Sequence, residues 1–278
     1  MMRRRRIGTG VALVFALLLC PTIAGAQSGF WDNFFRGSQA SQPATTPCVL
    51  DKCLNGATPK PTPAPTAPES APTSAAAPPP PASPTMVAPG NFDFYLLTLS
   101  WSPGFCDTGG AEKSPDQCGA GANLGFVVHG LWPQFQHGYP SDCDPNPRPV
   151  SRIALEETHG VFPNEGLARY EWRKHGTCTG LSPEAFFASV KRARASIEIP
   201  DAFNAPREQQ SMAPLDIQRA FVAANPDLRP QAMAIGCSRG ELQEVRLCFS
   251  KDLRDFVNCP EVARATCRAP SIAIAPVH

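Results

Sequence analysis

Phe92-Asp93-Phe94-Tyr95-Leu96-Leu97-Thr98-Leu99-Ser100-Trp101 is the stretch on which the fold turns. It is dense in aromatic and branched side chains and is stopped by Ser102-Pro103-Gly104, the composition and punctuation of a half-buried or central β-strand. Asn123 to Trp132 and Leu242 to Phe249 have the same character. Two runs have helical spacing: Pro183 to Ala195, with Ser182 placed as a cap and Pro183 at the first helical position, and Leu215 to Ala224. Strands and helices mix without the regular alternation of a parallel sheet. The expectation is an α+β domain: a central antiparallel β-sheet with packed helices, its long loops stapled by disulfides.

Outward from this stretch, residues 91–278 have ordinary globular composition and suit one domain. Ahead of it, residues 57–90 carry twelve prolines among Ala, Thr and Ser. Such a segment has nothing to bury and reads as an extended, disordered linker reaching about 3.1 Å per residue. Residues 27–56 hold the aromatic cluster Phe30, Trp31, Phe34 and Phe35 and the pair Cys48 and Cys53. They read as a poorly ordered leader with one small disulfide loop, with docking to an apolar groove or a membrane interface as the alternative. Residues 1–26 combine Arg3 to Arg6, an apolar run from Val11 to Cys20 and Ala24-Gly25-Ala26, the layout of a secretory signal peptide. The apolar run is shorter than the roughly 18 residues a span requires, so no stable membrane span is expected. Leu19 before Cys20 and Pro21 after it argue against lipid attachment. A periplasmic or secreted protein is the expectation.

The chain has 25 Lys+Arg and 24 Asp+Glu, a net +1. Loss of Arg3 to Arg6 with the signal leaves 21 basic against 24 acidic residues, a net −3. Bulk charge therefore disfavours a strongly basic, non-specific nucleic-acid binder, while local basic sites remain open. Cys106, Cys118, Cys143, Cys178, Cys237, Cys248, Cys259 and Cys267 form an even set in a chain expected to be exported, consistent with four disulfides. An even set leaves no thiol over for catalysis, and no C-x2-C pair or short Cys/His quartet suggests zinc.

Two segments carry candidate chemistry. Val128-His129-Gly130-Leu131-Trp132-Pro133-Gln134 places a His at the end of an apolar strand, followed by a turn that presents Trp132. In Tyr170-Glu171-Trp172-Arg173-Lys174-His175-Gly176-Thr177-Cys178, a helix running from Leu167 would put Glu171, Lys174 and His175 on one face. Two imidazoles can share proton transfers near neutral pH while a fixed cation offsets developing anionic charge, which suits a phosphodiester. Spacing alone leaves a structural His and a surface ion pair equally open. His137 and His159 read as exposed loop residues, Phe186, Phe187 and Val190 as core, and Lys191, Arg192 and Arg194 as a solvated basic face.

HGLWPQ and EWRKHGTC, in this order and about forty residues apart, resemble the two active-site segments of the ribonuclease T2 family, and the late strand Glu241 to Cys248 fits the same pattern. The resemblance implies a T2-like catalytic domain over residues 91–278, acting as a monomer on single-stranded RNA. It also implies an endoribonuclease that needs no cofactor or metal and makes 2′,3′-cyclic phosphate and then 3′-phosphate ends. His175 resembles the general base and His129 the general acid, Glu171 and Lys174 the pair that supports the phosphorane, and Trp132 a base-stacking residue. DNA, lacking the 2′-hydroxyl, should not be cleaved. The resemblance further implies the pairs Cys106 with Cys118, Cys143 with Cys178, Cys237 with Cys267 and Cys248 with Cys259. Two departures stand out. Tyr170 occupies a position where many relatives have a phosphate-binding His, and Gln134 one where some have an acid. The rival expectation is a catalytically weak RNA-binding or signalling protein on the same scaffold.

Overall fold

A computed structural model describes residues 87–277. The expected signal, aromatic leader with Cys48 and Cys53, and all of the linker before Val87 lie outside the described residues.

The opening stretch forms strand β1, Phe94–Trp101, and pairs antiparallel on one side with β2, Phe126–Gln134, and on the other with β5, Glu241–Phe249. β4, Met233–Ser238, adds antiparallel to β5, and the short strands β3, Gln210–Met212, and β6, Ile272–Ile274, pair with each other. The sheet is thus α+β in class and antiparallel, except for a single parallel pairing of Glu241 in β5 with Ala273 in β6.

Register explains why β1 is buried along its whole length yet carries Thr98 and Ser100. Side chains alternate between sheet faces. Tyr95, Leu97, Leu99 and Trp101 join the apolar core with their neighbours Leu131 and Val128 of β2, Val245 and Leu247 of β5, and Met233 and Ile235 of β4. Thr98 and Ser100 fall on the opposite face beside Arg246 and Glu244 of β5. One face holds the molecule together and the other is free to carry polar groups.

Three helices of ten or more residues occur among the described residues. Helix α1, Glu165–Lys174, starts at Asn164, whose side chain accepts from the Leu167 amide at 2.9 Å. Helix α2, Pro183–Ala195, starts at Ser182, whose hydroxyl accepts from Ala185, with Pro183 in the first turn as the sequence suggests. Helix α3 covers Pro214–Ala224. Phe186, Phe187 and Val190 of α2 and Ile217 and Phe221 of α3 are buried in the core. Disulfides join Cys106 to Cys118, Cys143 to Cys178, Cys237 to Cys267 and Cys248 to Cys259. Among the described residues no helix is long and apolar enough to cross a membrane.

Candidate active site

The β1/β2 register slips between Leu99, opposite Val128, and Thr98, opposite Gly130, which makes His129 the extra residue of a bulge. A bulge re-aims one side chain without flipping the rest of the strand. Val128 and Leu131 therefore both stay in the core while His129 turns toward the polar face. Its Nδ1 lies 2.7 Å from Glu244 Oε1 on β5, two strands away. Strands sit about 4.8 Å apart, so the contact bridges roughly 10 Å of sheet, and it does so over the short side chains Thr98 and Ser100 of β1. Arg246, two residues along β5 and on the same face, donates to the other Glu244 oxygen through Nε at 3.1 Å and Nη2 at 3.0 Å.

The second segment arrives from α1. Ala168 and Trp172 are buried in the core, and Glu171 is buried where the helix meets β2. Its Oε2 accepts from Trp132 Nε1 at 2.6 Å, and its Oε1 lies 3.9 Å from His129 Nε2. The Trp132 ring stands between the imidazoles, its centroid 5.0 Å from His129 and 5.3 Å from His175. α1 ends at Lys174. His175 is its C-cap, with φ −123° and ψ −40°, although its amide still donates to Glu171 O at 2.9 Å. The imidazole lies beside the Trp132 ring, whose N–H goes to Glu171, so both side chains meet the same residue. Lys174 Nζ lies 3.1 Å from Asp142, whose amide donates to Lys174 O at 2.8 Å. Cys143, next to Asp142, is bonded to Cys178, so the loop after β2 is tied to the second segment at both ends of Lys174-His175.

The glycine after each histidine is sterically required. A Cβ at Gly130 would collide with Trp132 Nε1 and Glu171 Oε2, and one at Gly176 with the Trp172 ring and, at 3.1 Å, with Phe186.

Burial dominates the electrostatics. It pushes the Glu171 carboxyl up to about 7, against the lowering effects of His129, the Trp132 hydrogen bond and Lys174, while Glu244 adds to the rise. Burial also holds His175 well below the ordinary imidazole value, reinforced by the positive charges of Lys174 and His129. For Glu244 burial alone would raise the carboxyl, but the Arg246 charge and the His129 bond outweigh it and keep it below the usual range. An ionised carboxylate only accepts, so His129 carries a proton on Nδ1 and presents Nε2 to the site.

Of the sequence-predicted site residues, His129, Trp132, Glu171 and His175 are brought into one cluster, and Lys174 adjoins it. Tyr170 is half-buried on α1, one position before Glu171. Trp132 is only 2% exposed, and its N–H is committed to Glu171. Tyr139, which the sequence reading passed over, is 40% exposed with its ring 6.1 Å from that of His175. Glu244 and Arg246 lie within the late strand, where the sequence assigns them no role in the site. The available signal was the alternation of β5, which puts two charged residues on one face of a buried strand, matched by Thr98 and Ser100 in β1. His137 and His159 are exposed and pair with Glu261 at 3.2 Å and Glu165 at 3.9 Å, apart from the cluster. Among the described residues no group of three or more His, Cys, Asp or Glu side chains could hold a metal ion.

The ribonuclease T2 family matches residues 92–259. A ribonuclease of Aeromonas hydrophila is 38% identical over 175 residues, covering 62% of this chain and 78% of that protein. Ribonuclease I of Escherichia coli is 26% identical over 214 residues, covering 62% of this chain and 79% of its own. An RNase-related protein from Calystegia sepium aligns with a TM-score of 0.52 at 19% identity, over 67% of this chain and 98% of that one, which shows the shared fold. A ribonuclease MC1 variant in complex with 5′-GMP aligns with a TM-score of 0.52 at 22% identity, over 65% of this chain and 99% of that one. The family match spans both histidine segments and the strand that carries Glu244, and the chain belongs to the ribonuclease T2 family.

Proposed function

We propose that this ribonuclease is an exported, monomeric endoribonuclease that cleaves single-stranded RNA by transphosphorylation, without a metal ion. The observation that carries the reading is the packing of two differently supported imidazoles, His129 and His175, against the one Trp132 ring that holds Glu171.

In the first step His175 takes the proton of the 2′-hydroxyl, the 2′-oxygen bonds to phosphorus, and the bond from phosphorus to the 5′-oxygen breaks. His129 Nε2 gives its proton to that leaving oxygen, so the products are a 2′,3′-cyclic phosphate and a 5′-hydroxyl. In the second step His129 takes a proton from water, the oxygen of that water bonds to phosphorus, and His175 returns its proton to the departing 2′-oxygen. A 3′-phosphate results. His175 held neutral suits a base, and a carboxylate behind His129 suits an acid that must be charged before it acts. Lys174 offsets the charge of the phosphorane. Glu171, protonated below about pH 7, can donate to a phosphoryl oxygen. Trp132 holds Glu171, and its burial leaves base stacking chiefly to Tyr139. DNA offers no 2′-hydroxyl and should not react.

Export rests on residues 1–26 as a signal peptide, and four disulfides fit an oxidising compartment, periplasmic or extracellular. The test is RNA digestion by the oxidised protein in EDTA, beside His129→Ala and His175→Ala, with product ends identified. Cyclic phosphates that form in EDTA and vanish in both variants support the reading. Cleavage that needs added metal, or that survives both substitutions, overturns it.

A further inference from the structure

Glu244 stands behind His129, yet neither its position nor Arg246 is accounted for by the proton transfers themselves. Both are buried, at 2% and 9% exposure, on the polar face of β5. A buried carboxylate is costly unless its oxygens are paired, and here both oxygens are. Oε1 faces His129 Nδ1 at 2.7 Å, and Oε2 is gripped twice by the Arg246 guanidinium. The fork fixes where the carboxylate can sit, and the carboxylate fixes the imidazole ring, its tautomer and the direction in which Nε2 points. Around His129 the charged groups are Glu244 with Arg246 behind it on β5, Glu171 from α1, and His175 at the α1 C-cap. Only Glu244 contacts Nδ1 within hydrogen-bond range among these.

We infer that Glu244 is the positioning residue for the general acid, held in place by Arg246, so that the pair commits His129 Nε2 to protonating the leaving 5′-oxygen. Glu244 touches neither substrate nor the reacting atoms and acts through His129. The inference rests on the reading of His129 as the acid. It also accounts for Thr98 and Ser100: larger side chains at these β1 positions would fill the space over which His129 reaches Glu244.

The experiment compares two substrates that share the 2′-hydroxyl attack and differ in the leaving group: a dinucleoside phosphate, whose departing 5′-oxygen needs a proton, and a ribonucleoside 3′-(4-nitrophenyl phosphate), whose phenolate leaves unaided. Glu244→Gln keeps an oxygen near Nδ1 but removes the charge and can present an N–H there, which favours the wrong tautomer. The expected result is a loss of roughly 10- to 100-fold in kcat on the dinucleoside phosphate, no more than the 10²–10⁴ that a positioned acid itself contributes, and a much smaller loss on the aryl ester. ¹⁵N shifts of the His129 ring should show Nδ1 protonated in the neutral form of the wild-type protein and a changed tautomer ratio in the variant. The double variant Glu244→Gln/Arg246→Met removes the buried charges together and guards against misfolding from an unpaired guanidinium; it should discriminate between the two substrates in the same sense.

Equal losses on both substrates with an unchanged His129 tautomer overturn the inference and leave Glu244 a structural residue. His129→Ala separates the two levels. If it too loses both substrates equally, the assignment of His129 as acid fails; if it spares the aryl ester while Glu244→Gln does not discriminate, only the role of Glu244 fails.

Discussion

His129 rides on a bulged strand with a carboxylate 2.7 Å from its Nδ1, whereas His175 ends a helix beside Lys174, and its buried Nδ1 has no hydrogen-bond partner among the described residues. The same side chain is therefore given opposite company. A ring held at Nδ1 by a fixed anion has its orientation set; a buried ring next to cations is kept neutral. In the proposed mechanism the division of labour between acid and base rests on these surroundings and not on any difference between the residues.

The largest effects should come from removing either side of the comparison. His129→Ala and His175→Ala are each expected to lower kcat on RNA by on the order of 10²–10⁴, measured as cyclic phosphate released per unit time. On an aryl ester only His175→Ala should keep that size of loss. A similar response of the two variants to the two leaving groups would erase the distinction.

Gly130→Ala attacks the partition between the rings. The added methyl collides with Trp132 Nε1 and Glu171 Oε2, so the bond that holds Glu171 must open. A loss of roughly 1–3 kcal/mol in thermal stability and at least about a tenfold fall in kcat are expected, by analogy with overpacking elsewhere. An active, stable alanine variant would show that Glu171 need not be fixed.

The disulfide Cys143–Cys178 ties the loop after β2 to the His175 segment. Replacing both cysteines by alanine should destabilise the protein by roughly 2–5 kcal/mol in denaturant unfolding and lower activity by loosening the loop that carries Asp142 against Lys174.

The pH response tests the electrostatics. His175 stays neutral in the folded protein at pH values where the unfolded chain, with a pKa near 6.5, takes up a proton. This group therefore subtracts stability as pH falls below 6.5, and the acid limb of kcat/KM should lie below that value. Glu171 has the opposite sign. Its pKa rises from 4.5 to about 7, so the folded state holds the extra proton across that window and its contribution is lost as pH climbs through 7. Glu171→Gln, which can still accept from Trp132, should gain on the wild type by on the order of 3 kcal/mol between about pH 4.5 and 7 and stay level outside it. A pH-independent difference between the two proteins would show that Glu171 does not titrate in this range.

The smallest effect is expected at Tyr170. Tyr170→His adds a group that can carry positive charge near the phosphate-binding segment and should raise kcat/KM by less than about threefold. An unchanged or lower rate would mean that Tyr170 serves a different substrate geometry.

Much of this was legible beforehand. The aromatic density of Phe94 to Trp101, the Ser182-Pro183 start of α2 and the two histidine segments are local signals, since strand composition, caps and short motifs act within a few residues. Other features were hidden because they arise between distant segments. That His175 lies against Trp132 depends on how α1 meets β2, and that Trp132 is a support more than a platform depends on how deeply it is buried there.

By itself, then, the sequence determined the class of fold, the strands β1, β2 and β5 and the helices α2 and α3, because hydrophobic period and capping are written along the chain, and the family resemblance of two short segments singled out the two histidines. Only the tertiary structure decided which carboxylate stands behind which imidazole. Glu244 lies 115 positions from His129 in sequence and reaches it through a bulge in one strand, two small side chains in the next and a same-face arginine in a third. Such a contact is set by register between strands, and register exists only once the sheet has formed.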